Sequence, residues 1–310
     1  MSAFVVGLYL VLYLAALALA FRSRKTFPLS ESIMVMLILG LGFTSLVYVV
    51  APRIADFTPA PVPASELAFV LAYVGLVSVL LVVVNPVPPA LRADFLKSKL
   101  ISLAYKLTLF VIIPLTSLRL FWNVSWEALG FTVQDLPGQW VAALILSLCF
   151  GGFNLVAGSG AKPLRAGAFT PAQVLLGFPA VFFWNVLEVG LVEEFFFRAF
   201  LQGTLMQALG SSLAGICAAS LLFGLAHAPG LYLRRADKDG PLGERPTLLN
   251  AILYAVLVLS PAGWFTGLLY LRTGSLLVPV LVHAAIDTVA HVSAAITAFL
   301  PASRAGAQSA

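Results

Sequence analysis

Stretches of about twenty predominantly apolar residues recur along this chain, near residues 3–21, 32–51, 66–84, 101–121, 140–158, 172–206, 212–228, 249–271 and 276–299. Wound as a helix rising about 1.5 Å per residue, such a stretch is long enough to cross a hydrocarbon layer roughly 30 Å thick. With 61% of its 310 residues hydrophobic and only 10% charged, the chain carries more apolar surface than one soluble core could hide. The expected fold class is therefore all-α, a polytopic transmembrane bundle of about nine spans with the lipid bilayer as its solvent. No internal repeat, low-complexity segment or separate polar domain stands out.

The net charge of +5 does not point to nucleic acid, because the basic residues lie between apolar runs and form no single arm or face. Starting from an outside N-terminus, alternation of the spans gathers Arg22, Arg24, Lys25, Arg92, Lys97, Lys99, Lys162, Arg165, Arg234, Arg235, Lys238, Arg245 and Arg304 on the cytoplasmic side. Only Arg53, Arg119 and Arg272 go to the outer ends, while Lys106 and Arg198 fall within spans, so the positive-inside rule supports this alternation. The first apolar run has no basic residue before it and three after it, as an uncleaved first span would. The expected location is a plasma membrane of bacterial type, with the C-terminus cytoplasmic. In the fourth span Pro114 predicts a kink, and Lys106 is expected to snorkel towards the surface. Cys149 and Cys217 sit in apolar runs without a Cys-x-x-Cys pattern and are expected to be plain buried thiols.

Ionisable residues inside such spans are costly and mark functional sites. Glu193 and Glu194 lie in the long run from Pro171 to Met206, with Arg198 one helical turn after Glu194 in the favourable order for an i,i+4 ion pair. Glu193 points about 100° away, has no obvious local partner, and is the candidate general base. Glu188, without a basic residue at i+4, reads as a pocket-lining or structural acid. His227 ends the seventh span, where Pro229 and Gly230 are expected to stop the helix. His283 and Asp287 are i,i+4 on the last span. His291 continues nearly the same face and reads as structural or pocket-lining.

Taken together, Glu193-Glu194-x-x-x-Arg198, Phe223-x-x-x-His227 and His283-x-x-x-Asp287, in that order on separate spans, resemble the CPBP family of intramembrane endopeptidases. That group contains the type II CAAX prenyl proteases and the bacterial Abi proteins. The resemblance extends over roughly residues 120–297, including the segment from Gly267 to Ser275 before the last span. It divides the chain into N-terminal spans without an assigned motif (1–121), a protease-like core (122–300) and a short tail (301–310).

The resemblance implies peptide hydrolysis by a glutamate-activated water. Glu193 would take the water's proton, His227 would help hold that water, and His283 with Asp287 would stabilise the tetrahedral oxyanion. Glu194 and Arg198 would support Glu193 structurally. The substrate would be a membrane-associated protein or peptide. Family relatives often carry Asn where this chain has Asp287, and an Asp donates a hydrogen bond only when protonated. Ionised, Asp287 would instead orient His283, or join a metal site. No cofactor is needed by this mechanism; were a divalent metal such as zinc bound, its ligands would be Glu193, His227, His283 and Asp287. Two other readings remain: a proton-coupled transporter or relay using the same residues, and a catalytically silent membrane scaffold.

Overall fold

The computed structural model describes residues 1–53, 62–84, 86–91, 94–233, 242–243 and 246–299. Arg92, Arg234, Arg235, Lys238, Arg245 and Arg304, expected on the cytoplasmic side, lie outside the described residues. Among those described, nine helices are long and apolar enough to cross a membrane. We number them α1 (Ser2–Arg22), α2 (Leu29–Val50), α3 (Ala64–Val83), α4 (Phe95–Trp122), α5 (Leu136–Ala157), α6 (Pro171–Leu209), α7 (Ser212–Leu233), α8 (Leu248–Thr273) and α9 (Leu277–Phe299).

Two helix ends differ from expectation for local physical reasons. Asp94 caps α4, its side chain accepting the Lys97 N–H at 3.0 Å, and so starts the helix one turn and a half before residue 101. That hydrogen bond also holds the Asp94 carboxyl below its usual range. Lys97 and Lys99 consequently belong to the first turns of α4 and not to the connection before it. At the other correction, α7 continues through Pro229 to Leu233 instead of stopping beside His227. Proline forfeits one backbone hydrogen bond, but ending the helix in an apolar setting would strand several backbone groups.

The run from Pro171 to Leu209 is one continuous helix. A reciprocal capping box between Thr170 and Gln173 opens it, and Gly210, at φ 60°, closes it. Two π-helical segments, Val186–Leu191 and Phe195–Gln202, widen its turns on either side of the glutamate pair. Similar segments occur at Ile38–Phe43 in α2, Thr108–Ile112 in α4 just ahead of Pro114, and Ala255–Leu259 in α8. Such bulges bend helices and re-aim side chains.

The C-terminal half of α6 is wrapped on all sides. Phe195, Phe196, Phe197 and Phe200 are buried against Tyr73 of α3, Phe110 of α4 and Phe223 of α7. Glycines permit backbone-level approaches elsewhere: a Cβ at Gly190 of α6 would run into the Val280 carbonyl of α9, and one at Gly224 of α7 into the Ala255 carbonyl of α8. Gly224 stands one helical turn before His227, so this approach fixes the depth at which that imidazole is held. Replacing Gly224 by Val should cost about 1–3 kcal/mol through overpacking. Thermal unfolding of the purified protein in detergent should show a lowered Tm, and an unchanged Tm would contradict the close approach.

Candidate active site

From Val192 to Gln202 every residue of α6 is buried except Glu193. Its carboxylate faces two imidazoles carried by different helices: Oε2 lies 3.6 Å from His227 Nε2 of α7 and 4.0 Å from His283 Nε2 of α9. His227 Nδ1 is 2.7 Å from the Phe223 carbonyl. A carbonyl can only accept, so Nδ1 carries the hydrogen and Nε2 is the nitrogen directed at Glu193.

Glu194 points the other way and has no exposed surface. One oxygen accepts from Arg198 Nε at 2.8 Å and the other lies 2.6 Å from His283 Nδ1. The Arg198 guanidinium is likewise fully buried, its remaining two nitrogens make no hydrogen bond among the described residues, and its face lies 5.0 Å from the centre of the Phe223 ring. Glu194 thus does more than pair with Arg198, the part read from the sequence: it also orients His283, with Nε2 turned to Glu193. Nothing in the local spacing signals that contact, which joins residues 89 apart.

The remaining candidates fall into different settings. Asp287 is half-buried on α9 and within electrostatic range of His283, but its carboxylate has no hydrogen-bonding partner among the described residues. It therefore does not orient the His283 ring, whose Nδ1 is taken by Glu194. His291 is exposed, which corrects its reading as a pocket-lining group: the last helix presents that position to the outside of the bundle. Glu188 is a buried acid held by Trp184 and by two lysines of α4. Lys99 Nζ lies 3.4 Å from both of its oxygens and Lys106 Nζ 3.5 Å from one. Lys106 therefore turns inward to a carboxylate, whereas the sequence suggested snorkelling. Of the two thiols expected to be buried, Cys217 is and Cys149 is exposed on α5. No three His, Cys, Asp or Glu side chains among the described residues are grouped so as to hold a metal ion.

Residues 175–289 match the family of Rce1-like type II CAAX prenyl endopeptidases. Over that segment the chain is similar to the Rce1-like family. The segment contains Glu188, Glu193, Glu194, Arg198, His227, His283 and Asp287, and is narrower than the 120–297 over which the resemblance was read. Lys99, Lys106 and His291 lie outside it. No curated protein and no solved structure matches the chain.

Within the Rce1-like segment, the buried Glu194–Arg198 pair should behave as a unit. Arg198→Met leaves a solvent-free carboxylate with His283 as its one remaining partner and should cost about 3–5 kcal/mol. Adding Glu194→Gln to it should cost less than the sum of the single changes, because the pair is already broken. Thermal unfolding of both single variants and the double variant checks this; additive losses would contradict the coupling.

Proposed function

We propose that the protein is an intramembrane endopeptidase in which Glu193 activates a water for attack on a peptide bond of a membrane-associated protein or peptide. The observation that carries this reading is the single opening in an otherwise buried stretch of α6, at a carboxylate facing two imidazoles. The Rce1-like match supports intramembrane protease activity in general. The family description names C-a-a-X tails, in which three residues follow the cysteine, and we take a short C-terminal tail of that kind as the substrate class.

Glu193 Oε2 and the Nε2 of a neutral His227 are both acceptors, and 3.6 Å is too long for a direct hydrogen bond between them. A water donating to both satisfies them at once and is held with its lone pair free for a carbonyl carbon. Glu193 takes the proton as the C–O bond forms, and the same proton goes to the departing amine as the C–N bond breaks. His283 donates to Glu194 through Nδ1, so to stabilise the oxyanion from Nε2 the ring must be doubly protonated. Glu194 supplies the countercharge for that form. Asp287, one turn beyond His283, adds a second donor to the oxyanion if it is protonated. No step requires a metal.

Glu193→Gln nearly preserves shape but removes the base. It should lower cleavage of a membrane-anchored peptide in detergent by about 100-fold or more while leaving Tm close to wild type. Asp287→Asn keeps a donor and should retain substantial activity. Wild-type activity should withstand excess chelator. Undiminished proteolysis by Glu193→Gln would end the glutamate mechanism, and chelator-sensitive activity restored by a divalent ion would replace it with a metal-assisted one.

For topology, the basic connection after α7 is proposed to be cytoplasmic, with the N-terminus outside. Cysteines placed between residues 234 and 245, in a background lacking Cys149 and Cys217, should resist a membrane-impermeant thiol reagent in intact cells. They should react once the cells are permeabilised. Labelling from outside would reverse the orientation.

A further inference from the structure

We propose that Lys99 and Lys106, anchored on Glu188, form a subsite for the free C-terminal carboxylate of the substrate. This inference rests on the peptidase reading above. Neutralising one buried carboxylate takes one cation, yet Glu188 draws two ammonium groups as well as the Trp184 indole N–H. The cluster of these three groups therefore carries one positive charge in excess. Both lysine contacts, at 3.4–3.5 Å, are longer than the roughly 2.7–2.9 Å of a charge-assisted hydrogen bond, so N–H donors are left unspent. The two lysine side chains are 41% and 32% exposed and within reach of an incoming group, while the Glu188 side chain beneath them is 7% exposed.

Glu193 is one candidate for the missing counterion, since Lys106 acts on it electrostatically. Its carboxylate, however, faces the two imidazoles and takes up a proton during turnover, so it is no fixed partner for the lysines. The spacing suits a peptide terminus instead. Glu188 and Glu193 are five residues apart, with Glu188 inside the π-helical segment Val186–Leu191 and Glu193 just beyond it, and the widened winding between them, bonded i to i+5, brings the two positions nearer one face. Along the helix they are separated by about 7–8 Å. Three extended residues beyond a scissile bond span at most about 10 Å. A tail cut at Glu193 would thus set its terminal carboxylate beside the ammonium pair. Both lysines belong to α4, outside the Rce1-like segment, which gives the N-terminal spans a part in recognition.

The test uses full-length protein in detergent and two fluorescent tail peptides identical except for a free or an amidated C-terminus. Wild type should bind the free acid about tenfold or more tightly than the amide, the order expected for a charged hydrogen bond. Lys99→Gln and Lys106→Gln should pull that ratio towards one, and Lys→Arg at either position should keep most of it. Equal wild-type binding of the two peptides, binding of neither, or an acid preference untouched by both Gln variants would overturn the proposal. A parallel arm titrates phosphatidylglycerol in mixed micelles. Lysine-dependent lipid binding with no acid preference would assign the subsite to a lipid phosphate and overturn the peptide assignment. The wild-type comparison needs no variant, so misfolding cannot obscure it. Peptides that bind with the acid preference but are never cut would refute the peptidase reading while leaving the subsite intact.

Discussion

A carboxylate shut off from solvent must find its countercharge inside the protein, and Glu194 does so twice. Arg198 answers one oxygen and His283 the other, which ties α6 to α9 and sets the plane of the His283 ring. The effect continues through Phe223. Its ring supports the Arg198 guanidinium, and its carbonyl accepts the Nδ1–H of His227. One buried acid thereby governs both imidazoles that face Glu193, although Glu193 itself touches neither Arg198 nor Phe223 in any hydrogen bond. Because a half-satisfied buried ion is worse than none, this arrangement has little tolerance for partial formation. Charge is shut away at Glu194 and Arg198, and the one residue left partly open between Val192 and Gln202 is Glu193.

Around that centre the helices meet at backbone distance. Gly190 brings α6 against α9, Gly224 brings α7 against α8, and Gln202 of α6 donates to the Gly267 carbonyl of α8 at 2.9 Å. The widened turns of the π-helical segments free carbonyls that ordinary winding would have used. Side chains from other helices reclaim some of them, as Tyr73 of α3 does by donating to the Leu109 carbonyl of α4 at 2.8 Å. The N-terminal spans are thus wired into the hydrogen bonding of the bundle and are more than a lipid-facing collar.

Much of the fold was legible because hydropathy is strong and periodic. Apolar runs of spanning length, punctuated by proline and basic residues, gave the span count directly. The residue types of the candidate site also stood out, since ionisable groups within apolar runs are rare. What stayed hidden depended on tertiary direction. No local spacing tells that Glu194 reaches His283, that Lys106 turns inward to Glu188, or that His291 faces outward although it shares nearly one face with His283. The continuation of α7 past Pro229 was missed for a related reason. Proline punctuates helices in water, whereas within a membrane bundle breaking off leaves more backbone unpaired than carrying on.

The outermost helix shows what this wiring asks of biosynthesis. Tyr9 of α1 hydrogen-bonds Ser260 at 3.1 Å, and Tyr13 donates to the Leu257 carbonyl at 3.2 Å, inside the π-helical segment of α8. These partners are 251 and 244 residues downstream. α1 therefore carries two phenols whose partners are made that many residues after it. Until then α1 has to wait in lipid with its hydroxyls at liberty, and this part of the bundle closes when α8 captures it.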